Sequence, residues 1–350
     1  MHFIGVDLHK TNFVVCFLDE QDRSRVESFG LTEQGLRAFR QKLSREDEVA
    51  VEVSANAYYF YDQIIELVRR VVLVDAYRFA VISRSKKKTD RHDAKALARF
   101  LKLGWLPEVS VPRQEIRQLR QLFHARESLV EVTTKLKNTG HAALTRNGLA
   151  LPRSAFKGSR SRAKLRLLSA SLLTADRQIL EITLRQIEAV EAEAEQLESE
   201  ILRLGKALPG LDLLLQVRGL GMLTAIGVLA EIGDINWFES SKQLVAYAGL
   251  ATSVRQSNET DRRGRITKQG RKKLRGILIQ AVLTLIRGSK TPLREFYFKK
   301  KREKGSGKAI CATARKLLAV IYVMLKRGLD YWYLEECLYN QKLNALKAVA

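Results

Sequence analysis

The sequence predicts an α/β domain followed by a mainly helical region. In the first hundred residues, short apolar or alternating runs typical of strands are separated by amphipathic segments. After Pro107 and Pro112, apolar residues recur at helical spacing through most of the chain. With 350 residues and 46% hydrophobic content, the chain is long enough to build two domains with cores.

The N-terminal strands are predicted from period-two patterns. FIGVDL and NFVVCFLD form two runs joined tightly around His9–Thr11, and RVESFG is a third. Glu48–Val53 alternates, with its valines on one face and Ala50 and Glu52 on the other. A further strand is expected at Val71–Val74, and helices at Thr32–Leu43, Tyr58–Arg69 and Asp90–Leu103.

The second part of the chain predicts a helical arm. Apolar residues step by three and four between Leu180 and Leu204, while acidic residues occupy the outer positions. This seam would pack either as a hairpin within one chain or as a coiled coil between chains. The basic stretch Arg153–Lys164 predicts a loop, and Pro209 and Gly210 end the arm.

The segment VRGLGMLTAIGVLAEIG predicts two helices joined by a turn at Gly219–Gly221. This is the helix-hairpin-helix form, in which turn amides point at a phosphate. A two-glycine turn between helices is also a common structural connector, so both interpretations stay open.

The charge of the chain points to a polyanionic partner. The formal net charge is +23, and 17 basic residues against 3 acidic ones fall between Asp261 and Lys308. Nucleic acid is the simplest such partner. An anionic membrane surface or the ribosome are the alternatives. Ordinary protein surfaces mix both signs of charge, so a solvated surface explains this region poorly.

Nothing in the sequence predicts a secreted protein, a protein stabilised by structural zinc, or a membrane protein. Cys16, Cys311 and Cys337 lack disulfide or zinc spacing, and the five histidines are scattered singly. The N-terminus lacks a signal pattern, and the longest apolar runs, Leu220–Ile232 and Leu317–Leu325, are too short to span a bilayer. A cytoplasmic location is therefore expected.

Four carboxylates carry the most specific pattern. Asp7 ends the first strand, Glu52 lies near the end of a later strand, and Asp90 and Asp93 open a helix at positions i and i+3. Each acid alone has an ordinary explanation, and Asp90 could be a helix N-cap. Together they would repel one another without a cation, and hard oxygen ligands select Mg²⁺ or Mn²⁺.

Two such ions would clamp the attacking and leaving oxygens of a phosphodiester. The order strand-Asp, strand-Glu, helix-Asp-x-x-Asp resembles that of the α/β ribonuclease-H-like (RuvC-like) nuclease fold. The predicted architecture is thus a RuvC-like N-terminal domain, a helical or coiled-coil arm, and a mainly α C-terminal domain with a helix-hairpin-helix.

The order of several motifs resembles a known family. The chain is similar to the DEDD transposases of bacterial insertion sequences, which include bridge-RNA-guided recombinases and a related pilin-gene invertase. The resemblance extends from Met1 to about Gly328 and rests on FIGVDLHKTNFVV, VAVEVSANAYY, KKKTDRHDAKALARFL, VRGLGMLTAIGVLAEIG, LVAYAGLATSVRQS and RRGRITKQGRKKLR.

This resemblance implies the site residues. Asp7, Glu52, Asp90 and Asp93 would be the catalytic, metal-binding acids, and Ser257 would be a nucleophile that bonds covalently to DNA phosphate. Ser253 in the same loop is the alternative. Asn258 and Ala55 stand where the family usually has glycine. The resemblance further implies a dimer or tetramer in which the two domains complete one composite site across protomers.

The implied domains are a RuvC-like catalytic domain at 1–105, a helical linker and coiled-coil arm at 106–208, a helix-hairpin-helix transposase domain at 209–330 and a tail at 331–350. Basic residues and turn glycines would hold nucleic-acid phosphates without reading sequence. They are Lys86, Lys87, Lys88, Gly219, Gly221, Arg262, Arg263, Arg265, Lys268, Arg271, Lys272, Lys273, Arg275, Lys299, Lys300, Lys301 and Lys308.

The predicted function is DNA transposition by site-specific recombination through a phosphoserine link, with Mg²⁺ required. The resemblance favours a guide (bridge) RNA that pairs with donor and target DNA, although the invertase branch leaves this open. One alternative is a RuvC-like junction nuclease that uses water. The other is a non-catalytic nucleic-acid-binding protein, in which the acids would have no chemical role.

Overall fold

A computed structural model describes the chain except for residues 77, 80–88, 258–259, 289 and 349–350, together with the side chains of 254–257 and 260–263. The three lysines at 86–88 therefore lie outside the described residues. The chain divides into two compact units, Met1–Val111 and Pro112–Ala350.

The first unit is built on a mixed sheet of six strands in its described part. The strands are β1 (Phe3–Leu8), β2 (Asn12–Leu18), β3 (Ser24–Gly30), β4 (Glu48–Glu52), β5 (Arg70–Val74) and β6 (Glu108–Val109). Their order across the sheet is β3-β2-β1-β4-β5-β6. The β1–β4 and β4–β5 pairs are parallel, while β1–β2, β2–β3 and β5–β6 are antiparallel.

Both faces of this sheet are covered by helices. Helices α1 (Glu33–Arg40) and α2 (Ala57–Ile64) pack on the face that carries Val6, Phe13 and Val51. Helix α3 (Asp90–Lys102) packs on the opposite face, which carries Ala50 and Val72. This coverage explains why the central strands consist almost wholly of apolar residues.

The second unit is helical apart from one β-hairpin in its described part. Its helices are α4 (Gln114–Arg146), α5 (Gly158–Ser169), α6 (Thr174–Gly205), α7 (Leu211–Leu215), α8 (Met222–Ile232), α9 (Ser241–Tyr247), α10 (Lys272–Leu285), α11 (Pro292–Lys304), α12 (Ser306–Arg327) and α13 (Glu336–Lys347), with 3₁₀ turns at Arg153–Phe156 and Ile235–Trp237. The largest core of the unit forms around α8, α10 and α12. Helix α8 is buried from Ala225 to Ile232.

The arm is a hairpin within the chain. Helices α4 and α6 pack along each other, and Phe156 is completely buried among Leu144, Leu180 and Leu184. Ion pairs join the two helices, such as Arg126 with Glu198. The sequence left open a hairpin or an intermolecular coiled coil, and the structure shows the hairpin.

Three local predictions were wrong. The stretch Arg153–Lys164 was expected to be a loop, but it holds a 3₁₀ turn and most of the first two turns of α5. The helix expected at Tyr58–Arg69 ends at Ile64. The segment with the two candidate serines is a β-hairpin of β7 (Thr252–Ser257) and β8 (Thr260–Ile266) rather than a loop.

Several helices of the second unit are rich in apolar residues, which is also a property of helices that span a membrane. Among the described residues, no helix combines the length and the apolar character that crossing a bilayer requires.

Candidate active site

Two of the predicted acids lie at the same edge of the central sheet. Strands β1 and β4 run parallel with Val6 opposite Val51, so Asp7 and Glu52 follow at adjacent positions where these strands end. Side chains alternate along a strand, which places Asp7 on the face of Gly5 and Glu52 on the face of Ala50. Gly5 and Ala50 are themselves register partners, so both acids share one face.

Helix α3 brings the other two acids to this face. A Cβ at Gly5 would lie 2.1 Å from the carbonyl oxygen of Ala94 and 2.5 Å from the amide nitrogen of Ala98. The glycine therefore lets the helix backbone rest directly on β1. Asp90 and Asp93 occupy the helix turn that precedes Ala94, and Asp7 follows Gly5 by two residues along the strand.

Thr89 caps this helix, so Asp90 is its first residue and not the N-cap that the sequence left possible. The Thr89 side chain accepts a hydrogen bond from the amide of His92 at 3.3 Å. Aspartates in the first turn of a helix are favoured by the helix dipole. Stabilisation of the helix therefore accounts for Asp93, and it accounts for Asp90 in part. The side chain of Asp90 also contacts another residue.

That further contact is with His9, which completes a group of three potential ligands. The Nε2 atom of His9 lies 3.4 Å from Oδ2 of Asp7 and 3.1 Å from Oδ2 of Asp90. One ligand atom from each residue falls within 4.8 Å of the other two. The carboxylate of Asp7 is only 15% exposed, whereas that of Asp90 is 56% exposed. The Asp7 carboxylate is thus sheltered, and the Asp90 carboxylate is open to solvent.

His9 is held by its backbone in the connection between β1 and β2. Its amide donates to the carbonyl of Asn12 at 2.9 Å, and its carbonyl accepts from the side-chain amide of Asn56 at 2.8 Å. The sequence reasoning treated the histidines as scattered and missed this one. Its position two residues after Asp7, at a strand end, is the signal that would have found it, because such residues share a face.

The donors present fit a divalent cation. Nε2 of His9 is buried and has no hydrogen-bond partner of acceptable geometry among the described residues, although two carboxylate oxygens are near. Burying an unsatisfied donor or acceptor is costly, so an atom in this position calls for a ligand or a proton shared with a carboxylate. Carboxylates suit Mg²⁺ and Mn²⁺, while a nitrogen ligand is ordinary for the later transition metals.

The four predicted acids are thus only partly brought together. Asp7 and Asp90 meet through His9, and Glu52 shares the face of Asp7 by register. Glu52 and Asp93 fall outside the group of described residues whose ligand atoms lie within 4.8 Å of one another.

The two candidate serines lie on the same strand of the second unit. Ser253 is exposed, and its hydroxyl donates to the carbonyl of Arg265 at 3.3 Å. A Cβ at Gly264 would come within 2.3 Å of that hydroxyl, so β8 passes close over Ser253. Ser257 pairs with Thr260 at the end of the hairpin, and its side chain lies outside the described residues.

The residues of the second unit that were predicted to bind nucleic acid fall into two groups, those that are exposed and those that contact other protein groups. Arg262 and Arg263 have side chains outside the described set. The exposed members are Arg265, Lys268, Lys272, Lys299, Lys301 and Lys308. Others contact the protein itself.

Arg271 donates to the hydroxyl of Tyr247 at 2.9 Å, and Arg275 donates to the carbonyl of Ala248 at 3.0 Å. Lys273 pairs with Glu127 at 3.1 Å. On α11, Lys300 pairs with Glu303 at 2.7 Å. These residues have structural partners that would compete with a phosphate.

The two turn glycines differ in their surroundings. Gly219 has φ +93°, and a Cβ there would lie 2.6 Å from the carbonyl oxygen of Ala281 on α10. Gly221 precedes α8 as its N-cap, and a Cβ there would meet nothing within 4 Å. Packing therefore explains the first glycine, whereas no close contact requires a glycine at the second. The helix before this turn, α7, has five residues, and the helix-hairpin-helix stays a prediction.

Two family models match separate parts of the chain. The DEDD-type model of IS110, described as a transposase, matches residues 4–147. The model described as the transposase IS116/IS110/IS902 family matches residues 211–298. The first match contains the four predicted acids and His9, and the second contains both candidate serines.

Similar proteins carry related names. The chain is 26% identical over 341 residues to the transposase for insertion sequence element IS1111A of Coxiella burnetii, covering 94% of this chain and 90% of that protein. It is 26% identical over 289 residues to the transposase for insertion sequence element IS1328 of Yersinia enterocolitica, covering 80% and 84%. Over 140 residues it is 32% identical to the pilin gene-inverting protein of Moraxella bovis, covering 38% and 43%.

Proposed function

The chain belongs to the IS116/IS110/IS902 family of transposases, enzymes that cleave and rejoin DNA, and from this premise we propose that it moves an insertion sequence by site-specific recombination. The observation that supports a catalytic first unit is the meeting of Asp7, His9 and Asp90 at the end of the central sheet. The strand order β3-β2-β1-β4-β5, with α3 on the acid-bearing face, supports a ribonuclease-H-like fold.

We propose that Asp7, Glu52, Asp90 and Asp93 hold Mg²⁺ or Mn²⁺, with His9 as an additional ligand or a hydrogen-bond partner of a ligand. When bound, the metal would stabilise negative charge on the reacting phosphate and lower the pKa of an attacking hydroxyl. The Asp7 carboxylate is more sheltered than that of Asp90, and Nε2 of His9 lies within 3.4 Å of a carboxylate oxygen of each.

The metal proposal is tested by binding as well as by activity. We expect Asp7→Asn and Asp90→Asn each to weaken Mn²⁺ binding at least tenfold, measured by calorimetry or by the paramagnetic signal of the ion, and to abolish recombination. Exposed Glu66→Gln, in the same unit, makes the same change of charge and serves as the control. If Asp7→Asn bound Mn²⁺ as tightly as the wild type, the proposal of a metal site at this edge of the sheet would be wrong.

We propose that Ser257 is the nucleophile. Its hydroxyl oxygen would attack a backbone phosphorus, a serine–phosphate ester would form, and the departing DNA oxygen would leave as a hydroxyl that takes up the serine proton. The hydroxyl of the exchanged strand would then attack this ester and restore the serine. The basic residues of β8 support the proposal, because cations near a phosphate offset the charge that develops during transfer.

Two serine variants separate the mechanisms. With a DNA substrate blocked after cleavage, we expect a protein–DNA adduct that survives denaturation and is lost in Ser257→Ala but retained in Ser253→Ala. Mass spectrometry of the digested adduct would place the phosphate. Cleavage by Ser257→Ala without any adduct would instead favour a nuclease that uses water, and loss of the adduct only in Ser253→Ala would transfer the role to that residue.

The partners follow from the same premise. We propose donor and target DNA as substrates, a guide RNA as the source of target choice, and an oligomer, either a dimer or a tetramer, as the active form. The support is the family membership together with the concentration of basic residues between Asp261 and Lys308. Light scattering of the purified protein with and without DNA tests the oligomer.

A further inference from the structure

A basic groove whose lining includes one aromatic side chain lies between α11 and α12. It has a volume of about 310 Å³ and is lined by Phe296, Lys300, Lys304, Lys308, Ala312, Arg315 and Lys316. The two helices meet at Gly305, where the chain turns with φ +79° and a Cβ would meet nothing within 4 Å. The groove therefore opens beside an uncrowded turn. Except for Lys300 and Lys308, these residues are additional to those that the sequence singled out.

Phe296 is partly buried in this groove and faces cations. The Nζ atom of Lys316 lies 4.5 Å from the centre of its ring, and that of Lys300 lies 5.9 Å away. Cation–π contacts at exposed sites are weak, so a lysine can exchange such a contact for a stronger one with an anion. Lys300 already pairs with Glu303, which leaves Lys316 as the more available ammonium group near the ring.

The charge of the groove is one-sided. Five of its seven lining residues are cations, and the remaining two are Phe296 and Ala312. The Nε atom of Arg315 is buried and has no hydrogen-bond partner among the described residues. A buried donor of this kind is costly unless a ligand or water accepts its hydrogen bond. An anionic group in the groove would offset the mutual repulsion of the cations, and the Arg315 guanidinium, whose Nε has no partner among the described residues, could turn to bond it.

We propose that this groove binds an unpaired nucleotide of a single-stranded nucleic acid, with its base against Phe296 and its phosphates on Lys304, Lys308, Arg315 and Lys316. A single strand fits better than a duplex, because only an unpaired base can leave its stack and lie on an aromatic ring. Cations beside an aromatic side chain are the usual means of binding such strands. The inference rests on the proposed function in that a recombinase handles unpaired strands of DNA or guide RNA.

The test uses the full-length protein and two labelled probes of twelve nucleotides, oligo(dT) and oligo(rU), beside a duplex of 20 base pairs. The variants are Phe296→Leu, Arg315→Gln and Lys316→Gln. Arg327→Gln, at the exposed end of α12, changes the same charge away from the groove and serves as the control. We expect each groove variant to weaken single-strand binding about tenfold and duplex binding much less.

The comparison of the two probes identifies the strand: tighter binding of oligo(rU) assigns the groove to RNA, and tighter binding of oligo(dT) assigns it to DNA. Equal weakening of duplex and single-strand binding would overturn the proposal, because the groove would then act as a general cationic surface. Unchanged single-strand binding in Lys316→Gln, whose exposed side chain tolerates replacement, would overturn it as well. So would tighter binding of polyglutamate than of either probe.

The failure of this proposal is distinguishable from failure of the proposed function. Asp7→Asn should lose recombination and keep wild-type binding of the single strand, because the acid lies in the other unit. If the groove variants bind normally while Asp7→Asn is inactive, only the groove proposal falls. If Asp7→Asn recombines while the groove variants bind weakly, only the proposed catalytic site falls.

Discussion

Gly5 is the residue on which the geometry of the candidate site depends. It allows the backbone of α3 to approach β1 so closely that a Cβ at this position would lie 2.1 Å from the carbonyl oxygen of Ala94. The obstacle is backbone rather than a flexible side chain, so the helix itself would have to move. Asp7 and Asp90 are brought together by this same contact.

We therefore expect Gly5→Ala to destabilise the first unit by about 1–3 kcal/mol or more, the range for overpacking a core. The reason is the clash with Ala94, and urea unfolding measures the loss. Because the helix must shift, Mn²⁺ affinity should fall as well, even though no ligand is changed.

The control for this substitution is Gly276→Ala. Gly276 lies within α10 with nothing within 4 Å of a Cβ, so alanine should stabilise the helix by about 0.5–1 kcal/mol. A Gly5→Ala protein as stable as the wild type would show that α3 can move away from β1 without cost.

At the same scale, the sequence predicted the acids but not their partner. Strand ends and helix starts can be located from periodicity, so Asp7 and Asp90 could be assigned to one edge. Which ligand atoms meet depends on side-chain directions that periodicity does not give. The role of His9 therefore became visible only in the structure. Among the described residues, Glu52 and Asp93 lie outside the group of ligand atoms that meets there.

At the scale of elements, α5 shows why a basic polar stretch was mistaken for a loop. It begins with Gly158 and Ser159, which have a weak preference for a helix, and no apolar period is visible at its start. Tertiary contacts decide instead: Arg162 is 8% exposed, and its guanidinium reaches Glu188 at 3.4 Å and Glu191 at 2.5 Å on α6. The strands of the central sheet, which bury both faces, could by contrast be predicted from sequence.

The hairpin of β7 and β8 was missed for a related reason. The strands contain mostly polar and basic residues, so neither an apolar run nor strict alternation marks them. Their pairing is set by the register from Thr252 opposite Ile266 to Ser257 opposite Thr260. A two-residue connection is short enough to favour a hairpin, but asparagine and glutamate there are a weak turn signal.

We expect Glu191, in the helical arm, to make a pH-dependent contribution to the free energy of unfolding. Burial raises the pKa of this carboxyl, but hydrogen bonds from Lys137 at 2.9 Å and Arg162 at 2.5 Å outweigh it and hold the pKa below the ordinary 4.5. A group with a lowered folded-state pKa stabilises the fold above its ordinary pKa and loses that effect as the pH falls.

We expect Glu191→Gln to be less stable than the wild type by about 1 kcal/mol at pH 7, with the difference shrinking as the pH falls below 4.5. Thermal unfolding between pH 3 and pH 7 measures it. Exposed Glu193→Gln, on the same helix, should show no such difference. A Glu191→Gln deficit that stays constant down to pH 3 would mean that packing rather than charge explains the loss.

At the scale of the whole molecule, the charge is divided unequally between the two units. Residues 1–111 contain 18 Lys and Arg against 16 Asp and Glu, whereas residues 112–350 contain 43 against 22. The first unit is thus nearly neutral, and the second holds almost all of the net charge of +23. This division agrees with the proposals that the metal-binding acids lie in the first unit and that most of the contacts with nucleic-acid phosphates come from the second.

The second unit should therefore retain RNA when the protein is purified from cells. Binding that depends on many cation–phosphate contacts weakens steeply with salt, so RNA should remain at about 0.1 M salt and be lost near 1 M. Phosphate contacts alone select no sequence. If a guide is the natural partner, the chain expressed beside its own flanking DNA should carry one discrete RNA that maps to that flank.

Sequencing the RNA retained at low salt tests this prediction, and expression of the chain without its flank is the control. A discrete flank-derived RNA, absent from the control, would identify the guide, and its unpaired loops would supply DNA sequences for the Ser257 adduct assay. The same random mixture in both preparations would contradict RNA guidance. Target choice would then have to come from contacts between the protein and base edges of DNA, as direct readout requires.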